Sequence, residues 1–143
     1  MRNGLKAAIA GTTMLGAMLV PATAQATPGY GVAGTIITQK TIGHTDYILR
    51  EVVVQPGGST GWHFHDGTLY AYVKGGTLSH ADADCVTSDV YPTGSTFVEP
   101  SGAANVHIGR NLGTTPVILE VLYTLPTGSP LSEDAPDPGC GFA

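Results

Sequence analysis

The sequence predicts an all-β, single-domain protein built as a sandwich, jelly roll or small barrel. Three observations carry that expectation. The chain has 143 residues, which is one domain's worth. Glycine (20) and proline (10) recur without a period, apolar residues make up 42% and charged residues only 12%, a balance that excludes collagen and argues against disorder. Beyond the first 26 residues no stretch longer than about ten keeps a 3.6-residue period; short β-branched and aromatic runs separated by turn residues recur instead.

The expected strands follow in order. Gly34 to Gln39 and Tyr47 to Gln55 open the series. Gly61 to His65, Leu69 to Lys74, Thr77 to Ala81, Thr96 to Val98, Val106 to Gly109 and Pro116 to Leu125 continue it. Between them stand breakers such as Pro56-Gly57-Gly58, Asp66-Gly67, Gly75-Gly76, Pro92-Thr93-Gly94 and Asn111-Leu112-Gly113. About eight short strands at regular spacing are too many for one open hairpin stack and close into a sandwich or barrel. Leu69, Ala71 and Val73 alternate with Tyr70 and Tyr72, which turns one of the two sets toward the interior. The expected organisation is a leader over 1–26, the β-domain over 27–125 and a Pro/Gly-rich tail over 126–143.

Met1 to Ala26 reads as an export signal. Arg2 and Lys6 precede an apolar, acid-free run from Leu5 to Val20, and Ala24-Gln25-Ala26 offers the small residues a signal peptidase requires, so cleavage is expected after Ala26. The apolar run is Ala/Gly-rich and shorter than the ~20 residues that span a bilayer, so no membrane insertion is expected to outlast cleavage. The destination is the periplasm or the medium. There the default for Cys85 and Cys140 is one disulfide, with two free thiols as the alternative. With a formal net charge of −5 and six Lys or Arg in all, the chain lacks the clustered positive charge that nucleic-acid binding needs.

The chemistry is concentrated in Trp62-His63-Phe64-His65. On a strand His63 and His65 face the same side, a pairing that grips a metal, while Trp62 and Phe64 face the other way into packing. His107, on a later strand, is a third candidate ligand. Three neutral imidazoles suit Zn, Fe, Cu, Ni or Mn and leave positions open for water or substrate.

These residues resemble the cupin superfamily. Its first motif, G-x5-H-x-H-x3/4-E-x6-G, is matched by Gly57, His63, His65 and Gly76; its second, G-x5-P-x-G-x2-H-x3-N, by Gly94, Pro100, Gly102, His107 and Asn111. The motifs span Gly57 to Asn111, roughly half of the chain left after cleavage. The resemblance implies a cupin jelly-roll barrel and a bound divalent transition metal. It also departs at the site. Leu69, or Tyr70 in the longer spacing, stands where the family has its glutamate, and four residues instead of two separate Gly102 from the histidine. Without that insertion Asn105 would take the histidine's place, but the intact H-x3-N and an even insertion, which keeps the strand's faces, select His107. The implied centre is His63, His65 and His107 without a carboxylate, as in some cupins similar to thiol dioxygenases. Asp66 and Glu99 are near enough to restore a charge, although both read first as solvated turn acids. His44 and His80 read as ordinary exposed histidines.

The functional expectation is therefore an exported metal-binding cupin acting on, or holding, a small molecule. As an enzyme it would be a dioxygenase-like oxidoreductase, with no catalytic residue assigned. The alternatives are a non-catalytic ligand- or metal-binding cupin and a structural jelly roll without metal. Cupins often pair through edge strands, which makes a homodimer a further expectation.

Overall fold

The structure, a computed structural model, describes residues 27–142; the expected leader over 1–26 lies outside the described residues. It contains ten strands and, among the described residues, no helix. They are β1 (Tyr30–Ile42), β2 (Thr45–Ser59), β3 (His63–Phe64), β4 (Thr68–Gly75) and β5 (Thr77–Asp82), then β6 (Ser88–Pro92), β7 (Thr96–Glu99), β8 (His107–Arg110), β9 (Val117–Pro126) and β10 (Glu133–Asp134). Each of the eight expected strands is present. β6 and β10 are additional, and β1 and β2 run well beyond their expected ends.

All pairings are antiparallel. One sheet runs β1-β2-β9-β4-β7 and the other β10-β3-β8-β5-β6; they meet where Ser59, at the end of β2, pairs with Arg110 of β8. The result is a nearly closed barrel. Gly61 turns the corner between β2 and β3 at φ +71°, where a β-carbon would run into the Thr27 carbonyl oxygen. The four glycines shared with the cupin motifs, Gly57, Gly76, Gly94 and Gly102, all have positive φ, between 75° and 100°, a backbone conformation that residues with a β-carbon rarely adopt.

Two apolar clusters hold the barrel. The interior is filled from β2, β4, β7 and β9 by Val52, Val54, Leu69, Val73, Phe97 and the alternate residues Val117 to Leu125. Strict alternation in β4 buries Leu69, Ala71 and Val73 and exposes Tyr70 and Tyr72, as the sequence pattern requires. The second cluster lies on the outer face of the β3–β8–β5 sheet, where Trp62, Ala81 and Ile108 are buried. The chain after Pro126 covers it. Ala135 N–H donates to the Trp62 carbonyl at 2.8 Å, Phe142 stacks on Trp62 with ring centroids 5.9 Å apart, and the Arg110 guanidinium lies 3.8 Å above the Phe142 ring. The Cys85–Cys140 disulfide fastens this segment to the β5–β6 turn.

Candidate metal centre

His63 and His107 are direct cross-strand partners between β3 and β8, so their side chains leave the same face of the sheet. His65, two residues on, joins them. The three rings have centroids 4.4 to 5.2 Å apart, and one ligand atom from each lies within 4.8 Å of the others. The expected trio is thus brought together, with His107 rather than Asn105 inside.

Backbone carbonyls fix the orientation of each ring. The Nδ1 of His63 faces the Gly61 oxygen at 2.9 Å, that of His65 the Leu131 oxygen at 2.7 Å, and that of His107 the Asn105 oxygen at 2.8 Å. A carbonyl has no proton to give, so in a neutral ring held this way Nδ1 carries the hydrogen and Nε2 is the atom left to ligate. This is the arrangement that metal-bound histidines adopt. The Nε2 atoms of His65, His80 and His107 are buried and make no hydrogen bond. Burial, aided by His107 and His65, pushes His63 down to about 4, so its ring is neutral at physiological pH. The residues present therefore fit a divalent transition metal.

A carboxylate does reach the site, from an unexpected strand. Leu69 on β4 is the register partner of Glu99 on β7, so Glu99 points inward directly beside the position where the cupin motif carries its glutamate. Glu99 is not a solvated turn acid. Its side chain is 13% exposed and its oxygens lie 3.2 Å from His65 Nε2 and 3.5 Å from both His107 and His80 Nε2. Burial alone would raise its pKa, but the three imidazoles crowding it hold the carboxyl well below the usual range; the same contact raises His107 against its own burial.

His80 also departs from expectation. Instead of an exposed strand-end residue, it is 9% exposed, stacked on His107 with ring centroids 4.9 Å apart, and forms a second potential ligand trio with Glu99 and His107. β5 extends through Asp82, so His80 lies within the strand, on the inward face it shares with Leu78. The inward alternation beginning at buried Leu78 was the available signal; the acids after it suggested an end. Asp66 and His44 are exposed, as expected.

Two spaces adjoin the histidines. On the lumen side Leu69, Phe97, Leu119 and Tyr123 leave about 50 Å³. On the other side of His107 and Glu99 a cleft of about 390 Å³ opens between β5, β6 and the Pro100–Val106 segment. Asn111, which ends the second motif, is structural: its Nδ2 donates to the Val54 and Thr115 carbonyls at 2.9 and 2.8 Å, pinning the turn after β8.

No family model matches the chain, and no curated protein matches its sequence. Solved structures do match in fold. The polyketide cyclase RemF from Streptomyces resistomycificus superposes with a TM-score of 0.62 at 20% identity over 90% of each chain. The Cnp3 cupin domain of Schizosaccharomyces pombe gives 0.58 at 13% identity, covering 67% of this chain and 66% of that one. A recombinant oxalate oxidase in complex with glycolate gives 0.54 at 27% identity, over 66% of this chain and 51% of its own length. The fold is that of the cupins, the double-stranded β-helix, and its bearers include enzymes.

Proposed function

We propose that this cupin-fold chain is an exported metalloprotein in which His63, His65 and His107 hold one divalent transition metal for oxidative chemistry on a small molecule. The observation that carries the reading is the shared orientation of the three rings, each tied at Nδ1 to a backbone carbonyl with Nε2 turned inward. Such a metal, when bound, supplies Lewis acidity and, if iron, one-electron chemistry with dioxygen. The protein's own part is then distinct. Glu99 offsets the ion's charge from beside His65 and His107. His80 stands between the cleft and the centre, its Nε2 3.5 Å from Glu99, and steadies that carboxylate. The apolar wall of Leu69, Phe97 and Leu119 keeps water off the lumen side. The cleft has room for an organic molecule and the lumen does not, so the substrate approaches past His80.

Holding a metal without turnover is the second reading, favoured by the closeness of the lumen packing. Export is supported by the Cys85–Cys140 disulfide, a bond of oxidising compartments, and by the leader-like pattern over 1–26. Pairing of two copies along β1 belongs to the same proposal. Its thirteen residues are all exposed, and among the described residues it pairs only with β2.

Elemental analysis of the purified, exported protein tests the core of the reading. About one equivalent of a transition metal, lost in His63→Ala and His107→Ala variants that still fold, is expected. Protein that stays metal-free after reconstitution, or variants that keep the metal, would overturn it.

A further inference from the structure

We propose that His80 is a further ligand of the metal, so that the centre grips its ion with four imidazoles and the Glu99 carboxylate. The proposal extends the metal reading above and rests on it. Neither His80 nor Glu99 stands at a ligand position of the cupin motifs.

Strand register brings His80 to the site. It lies on β5 two residues before Asp82, the direct partner of His107 on β8, so its side chain leaves the same face as His107. The two rings stack with centroids 4.9 Å apart, and Tyr91 and Phe97 stand at 6.1 and 5.8 Å from His80. At 9% exposure the ring is confined among them. Its Nε2 faces inward to Glu99, and its Nδ1 faces the Asp82 carboxylate 3.9 Å away. His63, His65 and His107 are set in the same sense, Nδ1 toward an oxygen and Nε2 toward the centre. An oxygen beside the far nitrogen is the usual companion of a metal-bound imidazole.

The separations decide between a packed core histidine and a ligand. A hydrogen bond joining a charged nitrogen donor to a carboxylate is about 2.7–2.9 Å long. Glu99 Oε1 is 3.5 Å from the Nε2 of His80 and 3.5 Å from that of His107, and Oε2 is 3.2 Å from that of His65. The contact with His80 is thus a close approach and not a hydrogen bond. Two atoms each about 2.1 Å from one ion stand about 3.0 Å apart at a right angle and about 3.4 Å apart at a tetrahedral one. The observed spacings are close to those of neighbouring ligands. Ligand atoms of His80, Glu99 and His107 lie within 4.8 Å of one another, as do those of His63, His65 and His107. His107 belongs to both groups, so an ion on its Nε2 is bordered by both. Imidazoles with one carboxylate suit a transition ion better than magnesium or calcium. Five protein atoms leave an octahedral ion one position, which narrows the chemistry to reactions in which one outside molecule at a time touches the metal.

The spin-active isotope of cadmium, a zinc analogue, reads the ligands directly. The full exported protein is labelled at histidine nitrogen for NMR, freed of metal and loaded with one equivalent of that isotope. Each Nε2 bonded to the ion then shows a one-bond cadmium–nitrogen coupling. Four coupled rings are expected, those of His63, His65, His80 and His107, with His80 identified in the unaltered protein by its nearness to the Tyr91 ring. His80→Gln should lose that coupling, keep the other three and lower zinc affinity by at least about tenfold. Couplings at His63, His65 and His107 with none at His80 overturn the proposal and leave the three-histidine centre standing. Couplings at His80 and His107 alone uphold His80 as a ligand and overturn the motif trio instead. A protein that takes up neither cadmium nor zinc overturns both readings.

Discussion

Cutting the Cys85–Cys140 bridge is the perturbation whose size follows most directly from the structure. The two residues are 55 apart in sequence. Closing a loop of that length in the unfolded chain removes about 14 cal/mol/K of entropy, or about 4 kcal/mol at 25 °C. The bridge also fastens the chain segment that carries Leu131, whose carbonyl orients His65 at 2.7 Å, and Phe142, which caps Trp62. A Cys85→Ser/Cys140→Ser protein should therefore lose stability and loosen one ligand. Urea unfolding of the metal-free protein, wild type against variant, should show a loss of about 4 kcal/mol, and zinc titration a fall of about tenfold in affinity from freeing an oriented ligand. Wild type treated with reductant should reproduce both. A stability loss below about 1 kcal/mol, with zinc affinity unchanged, would refute the reasoning: the segment would then be held by its non-covalent contacts alone.

Three further outcomes are expected. Glu99→Gln keeps the shape but removes the charge beside His65 and His107 and should lower zinc affinity about 10- to 100-fold by calorimetry; unchanged affinity would make Glu99 a bystander. His63 is depressed from 6.5 to about 4 in the folded protein, so the unfolded chain binds more protons between those values and metal-free stability should fall as pH drops from 6.5 through 4. Unfolding free energies measured across that window test the sign, and His63→Gln should flatten the slope. Ile37 is 51% exposed on β1; if two copies pair there, light scattering should report a dimer for wild type and a monomer for Ile37→Lys.

Much of the barrel is legible in the sequence because its strands have one wet and one dry face. β4 and β9 declare themselves by alternation, and His63 with His65 follows from the same period. β6 escaped because as an edge strand it buries almost nothing: Val90 is 64% exposed, and Asp89 and Pro92 read as breakers. β10 is two acidic residues, defined by its pairing with β3 and by nothing intrinsic. Glu99 illustrates a deeper limit. Its role depends on standing opposite Leu69, and the register between β4 and β7 is set by turns and packing some thirty residues apart. His80 was within reach, since it continues the inward alternation from Leu78; reading Asp82 as part of the strand would have found it.

The Leu131 carbonyl gives the centre a direction in time. His63 and His65 emerge early in synthesis, His107 later, and the group that aims His65 lies 66 residues beyond it, between β9 and β10. Until that segment has folded back, at most two of the three rings have their orienting carbonyls, those of His63 and His107 coming from residues only two positions away. The metal-binding geometry is thus among the last things the chain completes. On the proposed reading, a protein moved unfolded across a membrane would arrive without its ion and take up a metal that its destination supplies, so address as much as ligands would set the metal.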